Sequence, residues 1–182
     1  TLTNGTLLFA DAGAMTGTIT TTGGSLIVSG GATVFSGGML NTSSALTLST
    51  NNALVLQGEL GFVGTNNLNL GTGTVSLSGG TRTIFTQANL LTLGGVVIDG
   101  GTTAGSIIKA GGGTLGLSGT NTFTGGVTLL QGALSVLNDF AVGSSGSLLF
   151  AGGTLQYGAG VTADLSARFG AIGSGTTAFV DV

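Results

Sequence analysis

The sequence predicts an all-β fold, a right-handed parallel β-helix (β-solenoid), on three observations. Apolar pairs of the form L-x-L recur along the chain, the period of a strand whose alternate side chains turn inward. Gly, Asn or Ser clusters separate most pairs, and no window of about ten residues keeps a helical period without a glycine break. Short self-similar strings also recur: GTL at 113–115, GAL at 132–134 and GTL at 153–155 lie 19 and then 21 residues apart, a step expected of solenoids.

In chain order the clearest pairs are Leu46/Leu48, Leu54/Leu56, Leu60/Phe62, Leu68/Leu70, Val75/Leu77, Leu91/Leu93, Leu115/Leu117, Val127/Leu129 and Leu134/Val136. Between them stand TNN (65–67), SGG (78–80) and SGTN (118–121), whose Gly and Asn accept the positive φ that tight turns require. Pair centres fall at intervals of roughly 7 to 8 residues, the even spacing of an all-β repeat. Hairpin folds advertise themselves through Asn-Gly loops, and Asn4-Gly5 is the one such pair in the sequence. Three short strands and three turns give a coil of about 20–22 residues. About eight coils, stacked at about 4.8 Å, make a rod of about 40 Å. Leu, Val, Ile and Phe are expected inside, with Thr, Ser and Asn outside. The absence of proline suits coils paired on both sides, where proline would delete a ladder hydrogen bond.

Composition narrows the function classes. The 182 residues include 38 Gly, 41% hydrophobic and only 5% charged residues, with no Pro, Cys, His or Trp. A mean hydropathy of +0.61 argues against a disordered linker, which lacks apolar residues to bury. One domain over 1–182 is expected, as an excerpt of a longer chain, since Thr1 begins mid-pattern and no charged or helical cap closes either end. Three cations (Arg82, Lys109, Arg168) stand against six acids, for a net charge of −3. That excludes a nucleic-acid surface, which needs clustered Lys and Arg. Gly, Ser, Thr or Asn interrupts every apolar run, so this segment is not membrane-spanning.

At 109–134 the sequence reads KAGGGTLGLSGTNTFTGGVTLLQGAL. This stretch resembles the passenger-associated transport repeat of bacterial autotransporter passenger domains, through Lys109, Gly111, Gly113, Thr114, Leu115, Leu117, Ser118, Gly119, Asn121, Thr122, Phe123, Thr124, Gly125, Gly126, Gly132 and Leu134. Residues 73–85 and 96–101 resemble the usual lead-in more loosely. The resemblance implies a β-helical passenger, exported to the cell surface or shed, in a family that commonly serves adhesion, aggregation or surface structure. It implies no catalytic residue. A membrane-barrel segment with ten-residue amphipathic strands is not found here, a further sign of an excerpt.

Candidate chemistry is sparse. Glycoside hydrolysis needs two carboxyl groups roughly 5 to 9 Å apart; Asp99, paired with Glu59 or Asp139 across coils, is the candidate, although turn aspartates bonding their own backbone are the simpler reading. A calcium repeat lacks its aspartates, and no glycine-rich phosphate loop leads into a helix. Lys109 and Arg82 are expected in modest surface ion pairs, for instance with Asp99. Phe123 and the other phenylalanines are expected to fill core corners rather than a sugar-stacking face, and Tyr157 to point outward. The triplets TLT (1–3), TIT (18–20), TRT (81–83) and TFT (122–124) evoke an ice-binding ladder, but their steps of 17, 63 and 41 residues keep no coil period. The expectation is therefore a non-catalytic extracellular structural or adhesive β-solenoid without cofactor or metal, at the bacterial cell surface. Its partners would be itself or cell-surface glycans and proteins. The alternatives are a self-assembling filament or surface-layer subunit, then a polysaccharide-active enzyme or an ice-binding protein.

Overall fold

In the computed structural model the chain winds as a parallel β-solenoid. The structure describes the backbone of the strand residues between Leu2 and Phe35, and whole residues over 37–42, 44–48, 51–172 and 177–181. The Asn4-Gly5 pair and Asp11 lie outside the described residues.

Strands stack on three sides, and every pairing is parallel. Eight form the first face: Leu2–Thr3, Thr18–Thr22, Met39–Thr42, Leu60–Phe62, Thr81–Thr86, Ser106–Ala110, Val127–Leu129 and Leu148–Phe150. The second face runs from Leu46–Thr47 through Leu68–Asn69, Leu90–Leu93, Thr114–Leu117, Ala133–Val136 and Thr154–Tyr157 to Phe179–Asp181, and the separate pair Thr6–Phe9 and Ser25–Val28 precedes it in the chain. The third face holds Ala14–Met15, Thr33–Phe35, Leu54–Leu56, Val75–Ser76 and Val97–Ile98. Each described strand therefore pairs with its counterpart one lap away; even Thr154–Tyr157 and Phe179–Asp181, consecutive strands in the chain, lie a full lap apart. A single 3-10 turn, Ser166–Arg168, is the helical element among the described residues, and no described helix is long and apolar enough to cross a membrane.

The register explains the L-x-L pattern. Leu46, Leu68, Leu91, Leu115, Leu134, Leu155 and Val180 fall into one column, with steps of 22, 23, 24, 19, 21 and 25 residues. Their outward neighbours Thr47, Asn69, Thr92, Ser135, Gln156 and Asp181 form a polar column on the same face, interrupted at Gly116, where the Leu90 and Leu137 side chains close in. The laps vary more than the expected 20–22 residues because the slack is taken up in turns, such as the loop from Asp99 to Gly105. Each inward leucine contributes about 1.5–3 kcal/mol over leaving it in water. Stacking makes that contribution contiguous: the buried apolar residues form one core cluster inside the coil.

Three strands in each of about eight coils proves too regular a description. Strands on all three sides persist only as far as Val97–Ile98; the laps from there to Tyr157 keep two strands and cross the third side irregularly, and beyond Tyr157 the first face is met by the single bridge of Phe169 to Leu148. At that crossing a side chain takes over the ladder. Asn121 Oδ1 accepts from Val97 N–H at 2.7 Å, and Asn121 Nδ2 donates to Ala141 O at 2.5 Å. Thr122 N–H donates to Val97 O at 2.9 Å. A buried amide with a donor and an acceptor replaces what a strand would offer to the laps on either side.

Candidate functional site

Lys109 and Arg82 were expected at the surface in ion pairs, yet these two cations and Arg168 alike bond to main-chain carbonyls. All three are structural. Lys109 belongs to an inward column, Leu60, Ile84, Lys109, Leu129 and Phe150, and is 0% exposed. Its aliphatic stem replaces a leucine in the stack, while the ammonium turns to the corner. There Nζ donates to Ala110 O at 2.8 Å, Gly111 O at 2.7 Å and Gln131 O at 3.0 Å, which uses all three of its donors. Burial pushes its pKa down from 10.5 to about 8, because a low-dielectric surrounding disfavours the charged form.

Arg82 stands in register with the inward residues Ile107, Val127 and Leu148. It donates from Nε to Leu56 O at 2.7 Å and from Nη1 to Thr81 O at 2.7 Å. Arg168 does the same at the 3-10 turn. Its guanidinium donates to Gly146 O at 2.9 Å, Gly143 O at 2.8 Å, Val142 O at 2.8 Å and Ser145 O. Burial lowers its pKa from the ordinary value. A planar fork suits four carbonyls of one turn in a way that a point ammonium does not. All three cations thus serve corners, where carbonyls lose their ladder partners.

The carboxylates make the complementary bonds. Asp99 Oδ1 accepts from Gly105 N–H at 2.8 Å and Thr124 N–H at 2.8 Å, and Oδ2 from the Thr124 hydroxyl at 3.0 Å. Burial works to raise its pKa, but these bonds outweigh it and hold the carboxyl below its ordinary value. Asp139 repeats the device. Its Oδ1 accepts from Thr162 N–H at 2.7 Å and Ala163 N–H at 3.0 Å, and its Oδ2 from the Thr162 hydroxyl at 3.2 Å. The Thr162 N–H is the main cause of its lowered pKa; slight burial opposes, and Ala163 N–H and the Thr162 hydroxyl add to it. Each aspartate bonds mainly to the next lap rather than to its own backbone. No cluster of three metal-ligating side chains occurs among the described residues.

The other candidates fall as follows. Phe123 is fully buried, as expected of a core-corner aromatic. Tyr157, expected outward, stands in the inward column with Leu93, Leu117 and Val136 and packs against the core. Burial is the main cause of its raised pKa. TRT (81–83) starts a first-face strand, whereas TFT (122–124) lies on the irregular third side, so the two triplets do not stack. What the sequence reading missed is Phe140, which is 63% exposed on the turn after Ala133–Val136. No periodicity marks it, since it lies outside the strand pattern.

Open ground for binding lies on the flanks. On the first face a shallow groove of about 510 Å³ runs over Thr81, Ser106, Ile108, Thr128, Ser147 and Leu149, uncharged and rich in hydroxyls. A smaller cleft of about 250 Å³ lies between Phe140, Asn138 and Asp139 on one lap and Gly160 and Val161 on the next.

The fold has the form expected of an autotransporter passenger, a parallel β-solenoid; its three cations, Asp99 and Asp139 bond to main-chain atoms at the turns, and its flanks are polar with few charges, Glu59 and Asp181 among them. Over 86 residues, 44% of the chain, it is 41% identical to the adhesin BmaC autotransporter of Brucella suis biovar 1 (strain 1330). The match spans 2% of that relative's length. No family model matches the chain, and no solved structure matches it. The relative and the solenoid agree with the passenger resemblance carried by residues 109–134.

Proposed function

We propose that this chain is a non-catalytic segment of a bacterial cell-surface adhesin, a stiff rod that carries weak contacts along its flank. The observation that carries the reading is the similarity to an adhesin autotransporter on a chain whose fold is a parallel β-solenoid. The disposition of charge supports it. Lys109, Arg82 and Arg168 donate to main-chain carbonyls, and Asp99 and Asp139 accept from main-chain N–H groups, so these groups hold the rod together. The first-face groove keeps hydroxyls and a few apolar groups without charge, which suits neutral partners such as glycans or uncharged protein surfaces. Many weak contacts on one stiff body gain strength by multivalency.

The test is surface display of the chain on a non-adherent bacterium, with adherence to epithelial cells counted against an empty display scaffold. Several-fold greater adherence supports the proposal. Adherence equal to the scaffold, with the solenoid confirmed folded by far-UV circular dichroism, would refute it.

A further inference from the structure

Among the described residues Phe140 is the most exposed large apolar side chain, at 63%, and its neighbourhood is built rather than accidental. Asn138 Oδ1 accepts from Phe140 N–H at 2.8 Å, and Ala141 N–H donates to Asn138 O at 3.0 Å. Phe140 O accepts from Asn121 N–H at 3.2 Å, while the buried Asn121 amide holds Ala141 O. The turn is thereby fixed to the preceding lap, and the ring stands on a rigid base. Leu137, 39% exposed, lies beside it.

The polar groups at the cleft are oriented too. With Oδ1 held by Phe140 N–H, the Asn138 amide retains two N–H donors for a ligand. Asp139 spends three of its roughly four acceptor positions on Thr162 and Ala163, which aims the carboxylate and leaves one position on Oδ2. An aromatic face beside a fixed donor pair and a fixed anionic acceptor matches a sugar ring, with C–H groups on one face and hydroxyls at its edge. At about 250 Å³ the cleft falls short of the roughly 300–1,000 Å³ of a drug-sized site and suits one ring. A carboxylate at its rim disfavours acidic sugars.

We propose that Phe140, Asn138 and Asp139 form a subsite for one neutral pyranose ring of a cell-surface glycan. This deepens the adhesive reading above and rests on it for biological context, but its chemistry is testable separately. Saturation-transfer NMR is run on the chain with methyl glycosides of glucose, galactose, mannose and N-acetylglucosamine, and with methyl glucuronide. The expected result is transfer to ring protons of at least one neutral glycoside, with none to the glucuronide. Phe140→Ala removes the signal, and Asn138→Ala weakens binding by about tenfold, the loss of one to two hydrogen bonds. Both lie on an exposed turn; circular dichroism checks that each retains the wild-type β signal, and Phe140→Leu, which keeps the apolar bulk without the ring, guards against a mere folding effect by also losing the signal. Absence of transfer from every neutral glycoside, or an unchanged signal in Phe140→Ala, overturns the proposal. So does wild-type self-association that Phe140→Ala abolishes without any glycoside signal, because the patch then serves a second copy. Adherence in the display assay without glycoside binding removes this subsite alone; glycoside binding without adherence removes the adhesive reading alone.

Discussion

Replacing Lys109 with methionine tests whether the buried ammonium is a corner device. In the folded chain burial lowers the lysine pKa from 10.5 to about 8. Between those values the unfolded chain binds more protons than the folded one, so wild-type stability rises with pH across that window and is flat below it. At 1.36 kcal/mol per pKa unit the rise from pH 7 to pH 10 is at most about 3 kcal/mol, and the three carbonyl bonds, which favour the charged form, reduce it. Lys109→Met keeps the stem but has no donor, and leaves Gly111 O without its lysine partner at a cost of about 1–3 kcal/mol. The variant's deficit should therefore be small at pH 7, where it also escapes the burial of a charge, and should grow to about 1–3 kcal/mol at pH 10. Guanidinium denaturation followed by far-UV circular dichroism, at pH 7, 8.5 and 10, measures both chains, and their difference cancels every other titrating group. A deficit that stays constant, or shrinks as pH rises, refutes the reasoning.

Asn121→Leu orphans Val97 N–H and Ala141 O, and should destabilise by about 2–5 kcal/mol; Asn121→Asp should be no better, because its second oxygen would face Ala141 O, and thermal melts check both. Gly111 has φ +78 and no room, since a Cβ there would lie 2.3 Å from Thr86 O, so Gly111→Ala should destabilise by more than the about 1–2 kcal/mol of left-handed strain alone, read as a lowered melting midpoint. The Asp99 carboxyl has a lowered pKa, so its contribution is present above the unfolded pKa and lost as pH falls through the folded one; Asp99→Asn should flatten the acid limb of stability against pH, read from denaturation midpoints between pH 5 and 2. Arg168→Lys cannot fork across the carbonyls of Val142, Gly143, Ser145 and Gly146, and should hasten proteolytic cleavage between residues 142 and 146 in a timed digest.

The passenger resemblance placed Lys109, Asn121 and Phe123 in one motif without saying what they do. In three dimensions all three are buried: one satisfies corner carbonyls, one bridges laps where the strand ladder stops, and one fills the core. The ion-pair expectation failed because sequence distance says little in a solenoid. Asp99 meets Thr124 one lap on, and Lys109 meets Gln131, whereas the nearest opposite charge in the chain is met by neither Lys109 nor Arg82.

By itself the sequence determined the all-β class, the parallel stacking and the inside–outside pattern, because strand alternation and turn residues are local, and local preferences repeated lap after lap leave few other ways to bury the leucines. The number of three-stranded laps, the inward lysine, the corner arginines and the exposed Phe140 platform were decided only by tertiary structure. Each depends on which residue lies one lap above or below, and lap lengths between 19 and 25 residues are summed from turns whose exact span no local pattern dictates.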